Sequence, residues 1–246
     1  MPDSSLHSRA RLARTRASKL SKLATRPSLW SPLRAGVAAS VEHLSVPLRS
    51  DVRTVLDVGA SRGQFALHAA YRFPDATILC FEPLPQSREA LNKVLGERVR
   101  VYPTAVGAEA GTAQINVSAQ DDSSSLLPIG ARQVAEFPGT GPETTLDVNV
   151  ITIDSVVTDD LAGPILLKID VQGFELDVLR GATNVLERID EIFVECSFVE
   201  LYEGQALADE VVAFLLPHGL RLVGLYGISY ASDGGALQAD LLFRRT

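Results

Sequence analysis

From residue 52 onward, short β-branched apolar runs alternate with amphipathic helical stretches. That rhythm restricts the chain to parallel βαβ units more tightly than any other feature. The runs are Thr54–Val58, Thr77–Glu82, Arg100–Pro103, Ile165–Asp170 and Glu191–Cys196, and Arg221–Leu225 and Ala239–Arg244 complete the series. Helices are expected over Gln64–Phe73, Pro85–Leu95, Glu175–Ile189 and Ala206–Leu216, the last closed by Pro217 and Gly219. In the third of these, Leu176, Leu179, Ala182, Val185, Leu186 and Ile189 recur at helical spacing, a face packed on a sheet. The expected architecture is therefore α/β and doubly wound. Thr112–Val117 and Leu146–Ile153 break the rhythm and read as an extra strand pair inserted before the fourth strand. The stretch 118–145 between them, rich in Ser, Gly, Pro and acids, is too long for a passive connection and is expected to shape a substrate entrance.

The most informative segment is Val55-Leu56-Asp57-Val58-Gly59-Ala60-Ser61-Arg62-Gly63. An apolar strand ends in an acid, and a glycine turn then opens a helix. Gly59 permits close backbone approach to a ligand, and the helix start offers unpaired N–H groups. The spacing G-x-x-x-G is not the dinucleotide fingerprint, and Asp57 sits where a pyrophosphate would be repelled. A phosphate-free nucleoside such as S-adenosylmethionine, with its ammonium, suits the segment better. The second strand ends in Glu82-Pro83, nineteen residues after Gly63. A carboxylate at that edge can accept hydrogen bonds from both ribose hydroxyls.

Charge narrows the partners. Residues 1–34 hold eight Lys or Arg against Asp3 alone, a balance of +7 in a chain of net charge −7, so the remainder carries −14. An acidic body argues against nucleic acid as the main partner. The chain divides into a basic arm, 1–34, helical or flexible, and a domain over 35–246. The arm lacks the continuous apolar segment of a secretory signal. The arm reads first as solvated or helical and next as a homodimer or peripheral membrane contact, and in a eukaryotic source its Arg- and Ser-rich composition would also match an organellar transit peptide. No apolar run approaches the ~18–20 residues needed to cross a bilayer. Cys80 and Cys196 lie in apolar strand runs with no metal-ligand spacing, which reads as buried thiols in a cytoplasmic protein.

Five segments together resemble the FkbM family of class I, Rossmann-like methyltransferases: VLDVGASRGQF, CFEPLPQ, TAVG, LLKIDVQGFELDVLRGA and IFVECSFVELYEG. The resemblance covers roughly residues 53–204. It implies a mostly parallel seven-stranded sheet with an antiparallel final hairpin, and O-methyltransferase activity with S-adenosylmethionine. By position, Asp57, Gly59, Ala60 and Gly63 would line the methionine end of the cofactor. Glu82 would hold the ribose, Pro83 would flank the adenosine, and Ala105 would sit near the adenine. Two positions depart from the family pattern: Ser61 replaces a common Asn, and Gln172 replaces a common Glu.

Methylating an alcohol requires removal of its proton, by a base or through a metal-bound alkoxide. Asp170 is the first candidate, as base or as ligand of a divalent metal such as Mg²⁺. Glu195 is its expected partner across the cleft, Glu175 is third, and Lys168 would orient the acceptor. Each has a structural alternative: Asp170 as a turn cap, Glu175 as stabiliser of its own helix start, Lys168 as an ion-pair partner. His43, in the segment before the core, would either lid the site or lie on the surface. His68 and His218 read as structural. The acceptor would be a sugar, a glycan or a polyketide-like small molecule. The competing readings are a Rossmann-like NAD-dependent dehydrogenase and a non-catalytic cofactor-binding partner protein.

Overall fold

In the computed structural model, which describes residues 37 and 39–246, each apolar run becomes a strand. The basic arm, with the contacts expected of it, lies outside the described residues. The elements in chain order are β1 (Thr54–Val58), α1 (Gln64–Arg72), β2 (Thr77–Phe81), α2 (Pro85–Leu95), β3 (Arg100–Tyr102), β4 (Ala105–Val106) and β5 (Gly111–Ser118). They continue with α3 (Ala131–Glu136), β6 (Pro142–Ile151), β7 (Ile165–Ile169), α4 (Glu175–Arg180), β8 (Ile189–Ser197), α5 (Ala208–Leu215), β9 (Leu220–Tyr230) and β10 (Ala236–Arg245).

Seven strands form one sheet in the order β3-β2-β1-β7-β8-β10-β9. The pairs β1–β2, β2–β3, β1–β7 and β7–β8 are parallel, whereas β10 runs antiparallel to β8 and β9. All residues of β1 and β7 are buried, as expected for strands covered on both faces. Val55, Ile78, Cys80 and Leu166 pack one face against Phe65, Ala66 and Ala69 of α1 and Leu91 of α2. Leu56, Leu79, Leu167 and Val194 pack the other against Leu176 and Leu179 of α4 and Val211 and Leu215 of α5. Leu167, fully buried, would lose about 2–5 kcal/mol of stability if cut to Ala.

The extra strands do pair: β5 and β6 are antiparallel, and β4 joins β6 in parallel to complete a separate three-stranded sheet. One expected helix is shorter than its periodicity. Rather than running to Ile189, α4 stops at Arg180. At Gly181 the chain lies against the backbone of Gly107, where a Cβ would fall 2.0 Å from the carbonyl oxygen. The Gly181 carbonyl accepts from Asp154 N–H instead of continuing the helix. Ala182, Val185 and Leu186 remain buried, so the apolar spacing outlasts the helix. Among the described residues no helix is long and apolar enough to cross a membrane. Cys80 and Cys196 are buried and unpaired.

Candidate active site

The chain leaves β1 toward β2 on one side and later returns to β7 on the other. The carboxyl ends of β1 and β7 therefore flank a topological switch point, where open α/β sheets bind ligands. A cavity of about 460 Å³ lies there, within the range for a cofactor-sized ligand.

Its first wall is the turn after β1. Gly59 and Ala60 both donate N–H to the Phe81 carbonyl at 3.1 Å, which ties the turn to β2. Gly59 has φ +76°, and a Cβ there would lie 1.9 Å from the Asp170 carbonyl oxygen. Only glycine fits. Glu82 leaves the end of β2 into the same cavity. Its two oxygens accept the N–H groups of Ser61 and Leu84, each at 2.8 Å, leaving further lone pairs free. Burial pushes its carboxyl up to about 7, against partial relief from these two amides. Pro83 and Ala105, the latter in β4, line the cavity beside it.

Two other residues expected at the methionine end stand back from the cavity. Gly63 caps α1 in a left-handed conformation. Asp57 is buried between Cys80 and Lys168 of the neighbouring strands, and burial raises it to about 6. Gln64, by contrast, went unnoticed in the sequence and lines the wall. Its Oε1 and the Ser61 hydroxyl are buried without hydrogen-bond partners. A carbonyl oxygen and a hydroxyl left open beside a glycine turn match the ammonium and carboxylate of a bound amino acid.

The far end is a side-chain network. Asp170 Oδ2 accepts from Lys168 Nζ at 2.8 Å, and its Oδ1 accepts from Gln172 Nε2 at 2.7 Å. Burial opposes its charge, but the Lys168 ammonium and these hydrogen bonds win and hold Asp170 below the usual carboxylate range. Burial likewise works against Lys168, yet Asp170 and Asp57 keep it above the ordinary lysine value. The same Gln172 amide donates to Glu195 Oε2 at 2.9 Å, so one side chain bridges both carboxylates. Gln238 Nε2 donates to Glu195 Oε1 at 2.7 Å. Burial, reinforced by Asp170 and Asp240, drives Glu195 well above its ordinary value.

Gln172 is held in the left-handed region at φ +57°, a conformation that costs a non-glycine residue about 1–3 kcal/mol. Its carbonyl oxygen accepts from Ser125, and the Tyr202 hydroxyl donates to its Oε1 at 2.8 Å. Ser125 belongs to the stretch expected at the entrance, and it lines the cavity with Asp122, Ser124 and Leu126. Glu175 does not reach the cavity: its Oε1 accepts from Gly173 N–H at 2.9 Å and Val171 N–H at 3.4 Å, so it braces the turn after β7. Burial raises it to about 7. His43 lines the cavity with Nε2 3.5 Å from Asp240 Oδ2, and Asp240 sits opposite Glu195 in the sheet.

This donor set does not fit a divalent ion at Asp170. Its oxygens already face an ammonium and an amide N–H, and among the described residues no three His, Cys, Asp or Glu converge to hold a metal.

Residues 57–222 match the family described as the methyltransferase FkbM domain. The chain belongs to that family. The 2-O-methyltransferase NoeI of Sinorhizobium fredii is 28% identical over 201 residues, covering 78% of this chain and 79% of the relative. The 31-O-demethyl-FK506 methyltransferase FkbM of Streptomyces tacrolimicus is 30% identical over 195 residues, covering 69% and 73%. The hexuronic acid methyltransferase AglP of Haloferax volcanii is 29% identical over 140 residues, covering 56% and 54%. This FkbM-family chain is an S-adenosylmethionine-dependent methyltransferase, not a dehydrogenase. Glu82, Ser61 and Gln64 have the donors and acceptors that its cofactor requires.

Proposed function

We propose that this chain transfers a methyl group to a hydroxyl oxygen of a sugar, glycan or polyketide-like acceptor. The observation that carries the reading is a single cavity shared by the glycine turn and Glu82 at one end and by Asp170, Gln172 and Glu195 at the other. Carboxylates and amides at the far end suit an acceptor rich in hydroxyls. The names of three relatives, a 2-O-methyltransferase, a 31-O-demethyl-FK506 methyltransferase and a hexuronic acid methyltransferase, point the same way.

When bound, S-adenosylmethionine supplies a methyl group already activated by its sulfonium. Glu82 would hold the ribose hydroxyls, while Ser61 and Gln64 would hold the amino-acid end. Asp170, ionised and fixed by Lys168 and Gln172, would accept a hydrogen bond from the acceptor and aim its oxygen. Alignment of this kind removes up to about 7–11 kcal/mol of barrier. Lys168 acts here through Asp170, and Glu175 acts by bracing the turn.

The test is product analysis. Purified protein with S-adenosylmethionine is offered methyl glycosides, methyl glucuronosides and an O-demethylated macrolide, and the methyl position is read by mass spectrometry and NMR. A new methyl ether is expected. Methyl transfer exclusively to nitrogen or carbon would sink the reading.

A further inference from the structure

We infer that the acceptor half of the cavity selects by charge: it takes a hydroxyl acceptor that is neutral or carries an amine, and it rejects acids such as uronates and sugar phosphates. The inference rests on the O-transfer reading above and narrows its substrate class.

The cofactor end is fixed first. The Ser61 hydroxyl and Gln64 Oε1, buried without partners beside the glycine turn, match the amino-acid end of the cofactor, and Glu82 stands in the same part of the cavity for the ribose. The acceptor is left with the rest of the lining. That part consists of Asp170 and Lys168 on β7, Glu195 on β8, Asp240 on β10 and His43 in the turn Val41–Ser45. Asp122, from the stretch between β5 and β6, adds a further acid to the lining.

Both basic groups of this half already face a carboxylate. Lys168 Nζ lies 2.8 Å from Asp170 Oδ2, and its side chain is only 5% exposed. His43 Nε2 lies 3.5 Å from Asp240 Oδ2, so it is the ring nitrogen placed to carry a proton. Its Nδ1 is buried with no partner, and a second proton there would go unsatisfied. Neither group is left to neutralise an incoming acid, and among the described residues no arginine lines the cavity.

The carboxyl groups outnumber them. Burial, with Asp170 and Asp240 as neighbours, drives Glu195 well above its ordinary value. Even with Glu195 kept neutral, Asp170 and Asp240 are set against one ammonium. Asp240 is also within reach of a ligand: Gly227 lines the cavity beside it, where a Cβ would fall 2.6 Å from Asp240 Oδ2. An anion brought here is repelled more strongly than in open water, because low-dielectric walls focus the field, and an ammonium is attracted for the same reason.

The experiment uses the full chain with S-adenosylmethionine and three matched acceptors: methyl α-D-glucopyranoside, its analogue with an exocyclic amine, and the corresponding methyl glucuronoside. Transfer is scored at the ring hydroxyls that all three share, with S-adenosylhomocysteine release as the rate and NMR giving the methyl position. The amine should match or exceed the neutral sugar in kcat/KM, and the acid should fall at least ~30-fold below it. Asp240→Asn should narrow the gap between neutral sugar and acid at least ~threefold, whereas a packing role would slow all three alike. Independently, the wild-type S-adenosylhomocysteine complex is titrated with amino-TEMPO, a cationic nitroxide, and with carboxy-TEMPO, an anionic one. The cation should broaden the amide signals of Gly227 and Ser124 more than the anion does. An acid methylated as fast as the neutral sugar, an unchanged gap in Asp240→Asn, or equal broadening by the two nitroxides overturns the inference. If wild-type protein binds S-adenosylhomocysteine yet methylates none of these hydroxyls, the O-transfer reading fails for sugars, and the nitroxide pair still decides the charge of the acceptor half.

Discussion

The two ends of the cavity are built by different means. At the Glu82 end, a turn and one carboxylate are fixed by backbone: Ser61 and Leu84 amides hold Glu82, and the Phe81 carbonyl holds the turn. At the Asp170 end, side chains hold one another, with Gln172 bridging Asp170 and Glu195 and Lys168 and Gln238 closing the network. A backbone-built site keeps its shape when one side chain changes. A site built from side chains does not, because each truncation leaves a buried partner unsatisfied. Binding should therefore depend on the first end and turnover on the second.

The sharpest way to break that contrast is Asp170→Asn, which preserves size while removing charge. The expected loss is about 10–150-fold in rate, the worth of one hydrogen bond to a charged acceptor at about 1.5–3 kcal/mol, with little change in cofactor affinity. EDTA should leave the wild-type rate unaltered; restoration by Mg²⁺ after chelation would contradict the ammonium and amide that already face Asp170. Next in size, Glu82→Ala should weaken S-adenosylhomocysteine binding at least ~tenfold, since each hydrogen bond to a charged acceptor is worth about 1.5–3 kcal/mol. Isothermal calorimetry showing equal affinity would remove Glu82 from the ribose site and blur the two ends into one.

The same residue gives a pH dependence. Glu82 titrates near 7 in the folded chain against 4.5 for the free side chain. The folded state binds the extra proton between those values, so the stability this group contributes is complete below pH 4.5 and lost as pH rises through about 7. On the proposed ribose contact, cofactor binding has the opposite sign, because the hydroxyls would donate to the carboxylate. Affinity should weaken as pH falls below about 7, by at most ~tenfold per pH unit, and Glu82→Gln should flatten the profile. The smallest effect is expected from deleting about the first 25 residues, where few core contacts are at stake because β1 starts only at Thr54. Thermal unfolding and cofactor affinity should both stay unchanged, and failure of the truncated chain to fold would join the arm to the domain.

Legibility in the sequence follows the same division. The strand–acid–glycine turn and Glu82 are contiguous motifs whose geometry is local, and the strands carrying them coincide with the apolar runs within a residue or two. The Asp170 end draws on β7, β8, β10, the turn around His43 and the stretch containing Ser125. No spacing rule connects those segments. Asp240 and Gln238 were hidden because the polar positions of an alternating strand look like any solvated face. Glu175 was overvalued for a related reason: an acid beside a motif cannot reveal that it points back at Gly173 N–H. The overlong helix reflects burial, which periodicity reports faithfully even where the backbone has turned.

The hydrogen bond from Ser125 to the Gln172 carbonyl, joined by Tyr202, fastens the stretch between β5 and β6 to the end of β7. Neither Ser125 nor Gln172 hydrogen-bonds to Glu82 or to the glycine turn. On the proposed reading this stretch belongs to the acceptor half, where the bridge from Ile129 to Tyr202 also holds it. Grafting a different insert that keeps a hydroxyl at the Ser125 position could redirect which acceptor is methylated while the cofactor half stays untouched.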